Sequence, residues 1–279
     1  MRATIQCLFA GLLFLSFNVA AQNAVVGTFN LRYDNPADSG NLWKDRMPVV
    51  AGLIAFHNFD ILGTQEGLSN QLDDLAKALP EYEWYGKGRD DGETKGEHSA
   101  IFFKTKRFEL LDMGDFWLSQ TPAQPSLGWD ARCCKRICTW VYLKDRNSGK
   151  KIWVFNAHYD HEGKLARTES SRLILKRMRD MTHGERVVFM GDLNSSRSTD
   201  CYQIIATSGI VEDTYNNSPV RYDINPTFHA FGRQLQGSDV IDHIFCTKQF
   251  KVLRWGVLSD SYHGKYPSDH FPVLAELEL

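Results

Sequence analysis

Short apolar segments typical of β-strands dominate the chain and constrain its fold more than any other feature. They span residues 25–30, 60–64, 100–103, 108–113, 137–143, 152–156, 187–190, 239–246, 252–258 and 273–277. Helical periodicity is confined to residues 48–56, 71–79, 167–178 and 199–208. Hairpin signals such as Asp-Arg-Asn-Ser-Gly-Lys after residue 143 are too frequent for a simple alternating βαβ fold. We expect two packed sheets with helices outside.

Polar residues recur at the points where these apolar segments end. Five segment ends carry them, at Asn30, at Glu66, at His158, at Asp192 with Asn194, and at Asp269 with His270 just before the last segment. A carboxylate or amide that emerges from a buried strand costs free energy unless it meets a metal, a partner or a substrate. Five such ends therefore predict that the strands converge on one cation-binding cleft.

The oxygen-rich side chains in this set indicate which cation the cleft binds. The carboxylates and amides of Glu66, Asp192, Asn194, Asp269 and Asn30 suit Mg²⁺ or Mn²⁺ and disfavour zinc. Mg²⁺ usually keeps several waters and completes its shell with phosphate oxygens of a substrate. Hydrolysis of a phosphoester bond is the reaction class that this chemistry favours.

Six short motifs occur along the chain, and each of them is weak alone. They are T-x-N at 28–30, Q-E at 65–66, N-x-H at 156–158, G-D-x-N at 191–194, I-D-H-I-F at 241–245 and S-D-H at 268–270. Together, and in this order, they resemble the endonuclease/exonuclease/phosphatase superfamily, which includes deoxyribonuclease I-like nucleases and nocturnin-like deadenylases. The resemblance implies an α/β fold of the α+β kind: a four-layer αββα sandwich in which two mixed β-sheets pack face to face with helices outside.

The resemblance also implies a metal site and a set of polar residues around the attacking water. Glu66 would be the principal metal ligand, with Asn30 and Asp269 beside it. Asp192 would position or deprotonate the water, and Asn194 would hold a phosphate oxygen. The implied cofactor is Mg²⁺, with Mn²⁺ as the alternative.

Two imidazoles complete the implied catalytic set. His270 would act as a general base or a phosphate contact, with its ring oriented by Asp242. His158 would touch the phosphate or protonate the leaving oxygen. Glu97, in Gly-Glu-His-Ser, stands where the deoxyribonuclease branch keeps the acid that orients this second histidine.

Further charged residues are candidates for contact with the substrate. Arg89 belongs to Gly-Lys-Gly-Arg-Asp-Asp-Gly, which is either a solvated flexible loop or a loop that grips the substrate phosphate. Arg167 either starts a helix and pairs with a nearby acid or contacts the substrate. The other substrate-binding candidates are Arg136, Asp160, His161 and His229.

The hexapeptide Asn-Ala-His-Tyr-Asp-His at 156–161 allows a different chemistry. It differs from H-x-H-x-D-H, the zinc signature of metallo-β-lactamase-like hydrolases, only at Asn156, which cannot supply an imidazole. A zinc hydrolase of that type is one alternative, and a binding protein that has lost catalysis is another. The leading hypothesis is an exported, divalent-metal-dependent hydrolase of phosphoester bonds. Within the same family, the alternative is a secreted nuclease acting on DNA or RNA.

The first 21 residues are typical of a secretory signal peptide. Arg2 precedes an apolar run at 5–19 that is too short for a bilayer span, and residues 19–21 are small enough for a cleavage site. We expect residues 22–279 to form a single domain, because they contain no internal repeat and no linker-like change of composition. This domain is expected to be periplasmic or extracellular, without stable membrane insertion.

The charge balance and the cysteines give two further expectations, one about the substrate and one about a local disulfide. The 32 lysines and arginines against 34 acids form no basic tail, so a small phosphoester is favoured over duplex DNA. The expected partner is a phosphate-containing substrate, either a small molecule or a nucleic acid, bound by a monomer. Cys133, Cys134 and Cys138 lack a convincing fourth zinc ligand, so a local disulfide or simple packing is expected there.

Overall fold

The computed structural model describes residues 23–237 and 239–279, and the predicted signal peptide lies outside them. The strands are β1 (Asn23–Asn30), β2 (Ile61–Gln65), β3 (Tyr82–Tyr85), β4 (Ile101–Lys104), β5 (Phe108–Trp117), β6 (Ile137–Asp145), β7 (Lys151–His158), β8 (Arg186–Asp192), β9 (Glu212–Asp213), β10 (Arg221–Tyr222), β11 (Asp242–Cys246), β12 (Lys251–Val257) and β13 (Val273–Glu278). The helices are α1 (Trp43–His57), α2 (Ser69–Ala78), α3 (Lys164–Thr182), α4 (Asp200–Ala206) and α5 (Thr214–Asn217).

The strands form two mixed sheets. One has seven strands in the order β10-β12-β13-β1-β2-β4-β3, and the other has six in the order β5-β6-β7-β8-β11-β9. Strand β6 pairs antiparallel with β5 and β7, whereas the pairs β1–β2 and β7–β8 are parallel. Parallel neighbours need a crossover connection, and α1 and α3 lie in the two crossovers.

The inner faces of both sheets bury one shared apolar core. Val26 of β1 and Val154 of β7 belong to the same buried cluster. On the outside, Ile174 of α3 packs in a cluster with the six-stranded sheet, and Leu72 of α2 packs in a cluster with the seven-stranded sheet. Each helix therefore covers a sheet face that would otherwise expose apolar side chains to water. The predicted four-layer αββα sandwich is confirmed.

All ten predicted strands and all four predicted helices are present, with some ends shifted. Helix α1 begins at Trp43, so Pro48 lies inside the helix and not at its start. The sequence did not predict β3, β9, β10 or α5, because elements of two to four residues are too short to display a period. Among the described residues, the helices are all too short or too polar to cross a bilayer.

Candidate active site

The seven-stranded sheet brings three of the predicted polar positions to one edge. Strands β1 and β2 are parallel with Asn30 opposite Gln65, so Asn30 and Glu66 lie at the same end of the sheet. Strand β13 runs antiparallel to β1, and the segment that leads into it therefore also lies at this end. Asp269 belongs to that segment.

The six-stranded sheet presents its polar positions at the same edge of the sandwich. His158 and Asp192 are register partners at the ends of the parallel strands β7 and β8. Asp242 begins β11, which is antiparallel to β8, and pairs with Asp192. The hydrogen bond from Asn30 of β1 to Asp192 of β8 shows that the two edges meet, so the acids and imidazoles of both sheets lie together, as the sequence predicted.

These edges form the walls of a cleft of about 640 Å³. Its lining residues are Arg32, Tyr33, Asp38, Glu66, Arg89, Glu97, Cys133, Cys134, Arg136, His158, His161, Asp192, Asn194, Phe228, Ala230, Phe231, Arg233, Ile241, Asp269 and His270. The volume lies within the range of clefts that bind small molecules. Asn30 and Asp242 are buried directly behind this lining and contact it through hydrogen bonds.

Asn30 holds two of the carboxylates in place. Its Nδ2 donates to Oε1 of Glu66 and to Oδ2 of Asp192, each at 3.0 Å. Its Oδ1 accepts from the backbone N–H of Arg32 at 3.0 Å. In this orientation Nδ2 of Asn30 points at Glu66 and Asp192, and its Oδ1 points at the backbone. Asn30 therefore fixes the position of both carboxylates and places no oxygen of its own beside them.

Glu66 and Asp269 form the part of the cleft that suits a hard divalent cation. Both carboxylates face the cleft, and the guanidinium of Arg32 lies 4.0 Å from Glu66 and 3.9 Å from Asp269. Burial raises the pKa of Asp269, and the negative charge of Glu66 raises it further. Two neighbouring carboxylates in an oxygen-rich cleft are the donor set that Mg²⁺ or Mn²⁺ prefers, so these residues fit the predicted metal.

His270 is held by carboxylates that favour its positive form. Its Nδ1 lies 3.0 Å from Oδ2 of Asp242, and its Nε2 lies 3.8 Å from Oδ2 of Asp192. Burial opposes a charge on this ring, but Asp242, Asp192 and Asp269 outweigh it and raise the pKa of His270 to about 10. The ligand atoms of Asp192, Asp242 and His270 lie within 4.8 Å of one another, close enough to hold an ion. An imidazolium already supplies positive charge at that point.

His158, in contrast to His270, is uncharged. Burial, together with the nearby Arg136 and Arg89, lowers the pKa of His158 well below its ordinary value, so the ring is neutral. Its Nε2 lies 3.0 Å from Nδ2 of Asn194, which also donates to the carbonyl oxygen of Tyr159. An accepting Nε2 leaves the proton on Nδ1, which faces Oε2 of Glu97 at 3.9 Å. The two imidazoles are therefore not equivalent.

Asp192 is the buried acid between these groups. Burial and the neighbouring Asp242 raise the pKa of Asp192 to about 7, against the opposing effect of His270. Its Oδ1 accepts from the backbone N–H of Asn194 at 2.8 Å. A carboxylate with a pKa near neutrality can take up and release a proton under ordinary conditions.

Arginines line the wall on the side of His158. Arg89 makes a bidentate pair with Glu97 at 2.6 and 2.7 Å, and Nη2 of Arg136 lies 2.9 Å from Nδ1 of His161. Burial raises the pKa of Glu97 to about 7, although Arg89 opposes the shift. The loop that carries Arg89 is therefore fixed in the cleft wall and is not a free solvated loop.

Three predicted substrate-binding residues do not line the cleft. Asp160 is buried, and its Oδ1 accepts from the backbone N–H groups of Glu162 and Gly163 just before α3. Arg167 lies in the first turn of α3 and donates to the carbonyl oxygen of Asp160 at 2.8 Å, so it pairs with a carbonyl and not with an acid. His229 is buried and stacks on Phe271, with ring centroids 3.9 Å apart.

Asn156 is part of a buried amide network. Its Nδ2 donates to the carbonyl oxygens of Thr64 and Ala100, both at 2.9 Å, and its Oδ1 accepts from Nε2 of Gln65 at 2.7 Å. These bonds link β7 of one sheet to β2 of the other. The side chain has no free group to offer a metal, which removes the structural basis for the zinc interpretation of residues 156–161.

Arg46 is a site-supporting residue that sequence reasoning missed. It is fully buried in α1, and its Nη1 donates to the carbonyl oxygens of Leu31 and Pro267 at 2.7 and 2.8 Å. Its Nη2 and Nε donate to the carbonyl oxygens of Arg32 and Asn41 at 3.0 and 2.8 Å. The residue ties the loop after β1 to the segment that leads into β13, and both carry cleft residues.

Backbone conformation helps to aim the site residues. Glu66 and Asn194 have φ angles of 63° and 47°, in the left-handed region that costs a residue other than glycine about 1 kcal/mol or more. At Gly191, a Cβ atom would lie 1.9 Å from the carbonyl oxygen of Ala157. The glycine of the Gly-Asp-Leu-Asn motif therefore allows β7 and β8 to approach closely beside Asp192.

A vicinal disulfide joins Cys133 to Cys134 on the cleft wall. Of the two expected arrangements, a local disulfide and simple packing, these two residues therefore form the disulfide. Cys138, in contrast, is a free, buried cysteine in β6. No zinc site is formed by these three cysteines, since two of them are bonded to each other.

Comparison with known proteins agrees with the fold. The family model of the endonuclease/exonuclease/phosphatase family matches residues 15–270. The chain belongs to this family, whose members hydrolyse phosphoester bonds.

Three solved structures show the extent of the likeness. A mannosyl-6-phosphatase of Bacteroides thetaiotaomicron is 42% identical, with 92% of this chain and 100% of that chain covered and a TM-score of 0.89. A family protein of Bacteroides vulgatus is 39% identical, with coverage of 92% and 99% and a TM-score of 0.89. The human Nocturnin catalytic domain, at 18% identity, coverage of 91% and 93% and a TM-score of 0.71, shares the fold.

Proposed function

We propose that this protein is an exported, Mg²⁺- or Mn²⁺-dependent phosphatase that releases phosphate from a sugar phosphate. The observation that carries the proposal is the meeting, in one cleft, of the acid pair Glu66–Asp269 with Asp192 and the two unlike imidazoles. Acids that suit a metal, next to groups that exchange protons, are the arrangement that hydrolysis of a phosphoester needs.

A small sugar phosphate is favoured over a nucleic acid for two reasons. The mannosyl-6-phosphatase that is 42% identical covers nearly the whole chain, and it acts on a phosphorylated sugar as its name states. The cleft volume of about 640 Å³ also suits a single small substrate. Net charge supports the same choice, because 32 basic residues against 34 acids provide no extended surface for phosphate backbones.

Glu66 and Asp269 would hold the divalent cation, with Asn30 fixing the orientation of Glu66. When bound, such a cation supplies Lewis-acid polarisation of the phosphate and balances the charge that develops on it. Arg32 stands beside both carboxylates and would contribute positive charge to the same end of the cleft. Arg89 and Arg136 would extend that positive wall toward the bound phosphate.

The proton transfers would be divided between Asp192 and His270. Asp192 accepts a proton from the water that attacks phosphorus, and the bond from phosphorus to the sugar oxygen breaks. His270, held at Nδ1 by Asp242, uses Nε2 to contact the phosphate and to protonate the leaving sugar oxygen. Its Nε2 is 3.8 Å from Asp192, close enough for the proton to return through a water. Asn194 would keep the neutral His158 in its orientation at the edge of the phosphate site.

Export is the remaining part of the proposal. It is supported by the apolar run at residues 5–19, the preceding Arg2 and the small residues at 19–21. Detection of the mature amino terminus in the periplasmic or extracellular fraction, by mass spectrometry, would test it. A full-length chain retained inside the cell would show that residues 1–21 are not cleaved.

The activity is tested with the purified protein at one salt concentration. Hydrolysis would be measured as phosphate released from mannose 6-phosphate and glucose 6-phosphate, as 4-nitrophenol released from bis(4-nitrophenyl) phosphate, and as shortening of single-stranded DNA, each with Mg²⁺, Mn²⁺ or EDTA. We expect the hexose phosphates to give the highest kcat/KM and EDTA to abolish turnover. A higher kcat/KM on DNA would favour the nuclease alternative.

The Asp192→Asn variant assigns the activity to this cleft. We expect kcat to fall by about 10²–10⁴-fold, because the acceptor of the water's proton is lost. Asp180→Asn changes an exposed aspartate in α3 and serves as the matched control. Absence of hydrolysis of all four substrates by the wild-type protein would instead support a binding protein that has lost catalysis.

A further inference from the structure

The cleft contains a disulfide that the reaction scheme does not use. Cys133 and Cys134 are adjacent in the chain and bonded to each other, and both line the cleft. Cys133 is exposed and Cys134 is half-buried, whereas the free cysteines of the described residues, Cys138, Cys201 and Cys246, are all buried. Cysteine is among the residues most often found inside proteins, so a cysteine pair that is accessible in a cleft is unusual.

This disulfide does not contribute much to the stability of the fold as a whole. A disulfide stabilises a fold chiefly by restricting the unfolded chain, and the effect grows with the length of the loop that it closes. A bond between adjacent residues closes almost no loop. Its effects are therefore local: it restricts the backbone of the two residues and joins two sulfur atoms into one rigid, apolar surface.

The segment that carries the disulfide is anchored to the cleft wall. Lys135 donates from Nζ to the carbonyl oxygen of Asp90 at 2.7 Å, which attaches the segment to the loop of Arg89. The next residue, Arg136, is buried and contacts His161 at 2.9 Å. The disulfide is thus held in a fixed position relative to the groups that bind phosphate, and a fixed surface loses little conformational freedom when a ligand binds.

The lining of the cleft also includes apolar groups and further polar groups besides the acids and imidazoles. The disulfide, Phe228 and Phe231 contribute apolar surface, while Tyr33, His161 and Arg233 contribute polar groups. A sugar ring has the matching chemistry, since it exposes C–H groups on its faces and hydroxyl groups at its edge. Sulfur is polarisable and packs well against apolar groups.

We propose that the Cys133–Cys134 disulfide is a substrate-binding surface that packs against the sugar ring of the phosphorylated substrate. The inference rests on the proposed function and names the part of the cleft that selects a ring over an open-chain alcohol. The phosphate would lie at the acids and imidazoles, and the ring would lie against the two sulfur atoms.

The test compares two substrates that share the phosphate and differ in the ring. In the double variant Cys133→Ser/Cys134→Ser, we expect kcat/KM for mannose 6-phosphate to fall about tenfold or more, mainly through KM, as for other lost apolar contacts in a pocket. With glycerol phosphate, which has no ring, kcat/KM should change less than about twofold. Arg132→Ser, at the exposed neighbouring residue outside the cleft lining, is the matched control and should behave as wild type with both substrates.

Two further measurements separate this inference from the proposed function. Calorimetry of mannose 6-phosphate binding to Asp192→Asn protein, with and without the two serine substitutions, reports affinity without turnover. Weaker binding after the substitutions would support the inference even if the wild-type protein hydrolysed no hexose phosphate. Equal losses with both substrates, unchanged affinity, or alkylation of Cys133 and Cys134 in unfolded protein without a reductant would overturn it.

Discussion

Nδ1 of His270 lies 3.0 Å from Oδ2 of Asp242, and the two residues lie at the edges of different sheets. His270 precedes β13 of the seven-stranded sheet, and Asp242 opens β11 of the six-stranded sheet. Both side chains are buried. The hydrogen bond that orients the imidazole therefore exists only when the two sheets are packed in their native register.

Asp242→Asn keeps the size of this side chain and removes its charge. We expect kcat with the best phosphoester substrate to fall by about 10²–10⁴-fold, because the ring loses the carboxylate that orients it and favours its positive form. Steady-state kinetics and circular dichroism would be compared with Asp73→Asn, an exposed aspartate on α2. Wild-type kcat in folded Asp242→Asn protein would exclude a catalytic dependence on this pair.

Glu66→Gln tests the metal site without relying on activity. Ligands that bind only the native state stabilise it, so Mg²⁺ or Mn²⁺ should raise the unfolding temperature of the wild-type protein. We expect that rise to be lost in Glu66→Gln and kept in Glu83→Gln, which changes an exposed glutamate on β3. The measurement is thermal unfolding with added cation or EDTA. A rise of equal size in both variants would place the cation elsewhere.

Asn156→His completes the H-x-H-x-D-H pattern, yet it should not create a zinc enzyme. The change removes an amide that makes three buried hydrogen bonds, to Thr64, Ala100 and Gln65, and a typical hydrogen bond contributes about 0.5–1.5 kcal/mol. We expect lower stability in urea unfolding and no stoichiometric zinc in metal analysis. Asn217→His, at an exposed position of α5, should change stability by less than about 0.5 kcal/mol. Tight zinc binding by Asn156→His would revive the zinc interpretation.

Arg46→Met removes the donors that hold two cleft-bearing segments together. We expect a loss of about 3 kcal/mol or more in the free energy of unfolding, since several buried carbonyls lose their donor at about 1–3 kcal/mol each. Arg254→Met breaks an exposed ion pair with Glu276 and should cost less than about 1 kcal/mol. Similar urea midpoints for the two variants would show that Arg46 is dispensable.

Asp115 predicts a pH-dependent contribution to stability. Burial raises the pKa of Asp115 above its ordinary value, although hydrogen bonds from Thr139 and Tyr85 oppose the shift. A pKa that is higher in the folded state means that protonation favours folding. This favourable contribution is complete below the ordinary carboxyl pKa and is lost as the pH rises through the raised value.

Asp115→Asn, which is neutral at every pH, should therefore be at least as stable as the wild-type protein near neutral pH, and its advantage should shrink as the pH falls. Urea midpoints across the acidic-to-neutral range would measure the difference. Asp112→Asn, on an exposed part of β5, should leave the midpoint at neutral pH unchanged. A variant that loses stability only near neutral pH would show the opposite sign.

The acids of the cleft were predictable because their positions break a strong pattern. Glu66, Asp192 and Asp269 stand next to apolar strands, where an unpaired carboxylate is costly, and the fold brings all three to one edge. The same signal identified His158 and His270. Strand ends are a local property of the chain, so a single sequence can display them.

Arg46 and Arg32 carry no comparable signal. An arginine in a helix usually lies in solvent, and only the packed structure shows that Arg46 is enclosed by carbonyl groups. Asp160 is the opposite case, since its place beside His158 in the sequence suggested the cleft. Its side chain instead accepts from backbone N–H groups before α3, a turn role that aspartate often takes.

The amide network of Asn156, Gln65 and Thr28 has a consequence for protein engineering. The bonds from Asn156 to Gln65 and Thr64 cross from one sheet to the other, and Gln65 is bonded in turn to Thr28. These three residues stand one or two positions before His158, Glu66 and Asn30, so the network fixes the two halves of the cleft relative to each other. The segment with Cys133 and Cys134 lies in the cleft wall and is not part of this network. Substitutions meant to alter substrate preference should therefore be made in wall segments of this kind. A change of side-chain volume at Asn156, Gln65 or Thr28 would displace the catalytic residues of both sheets at once.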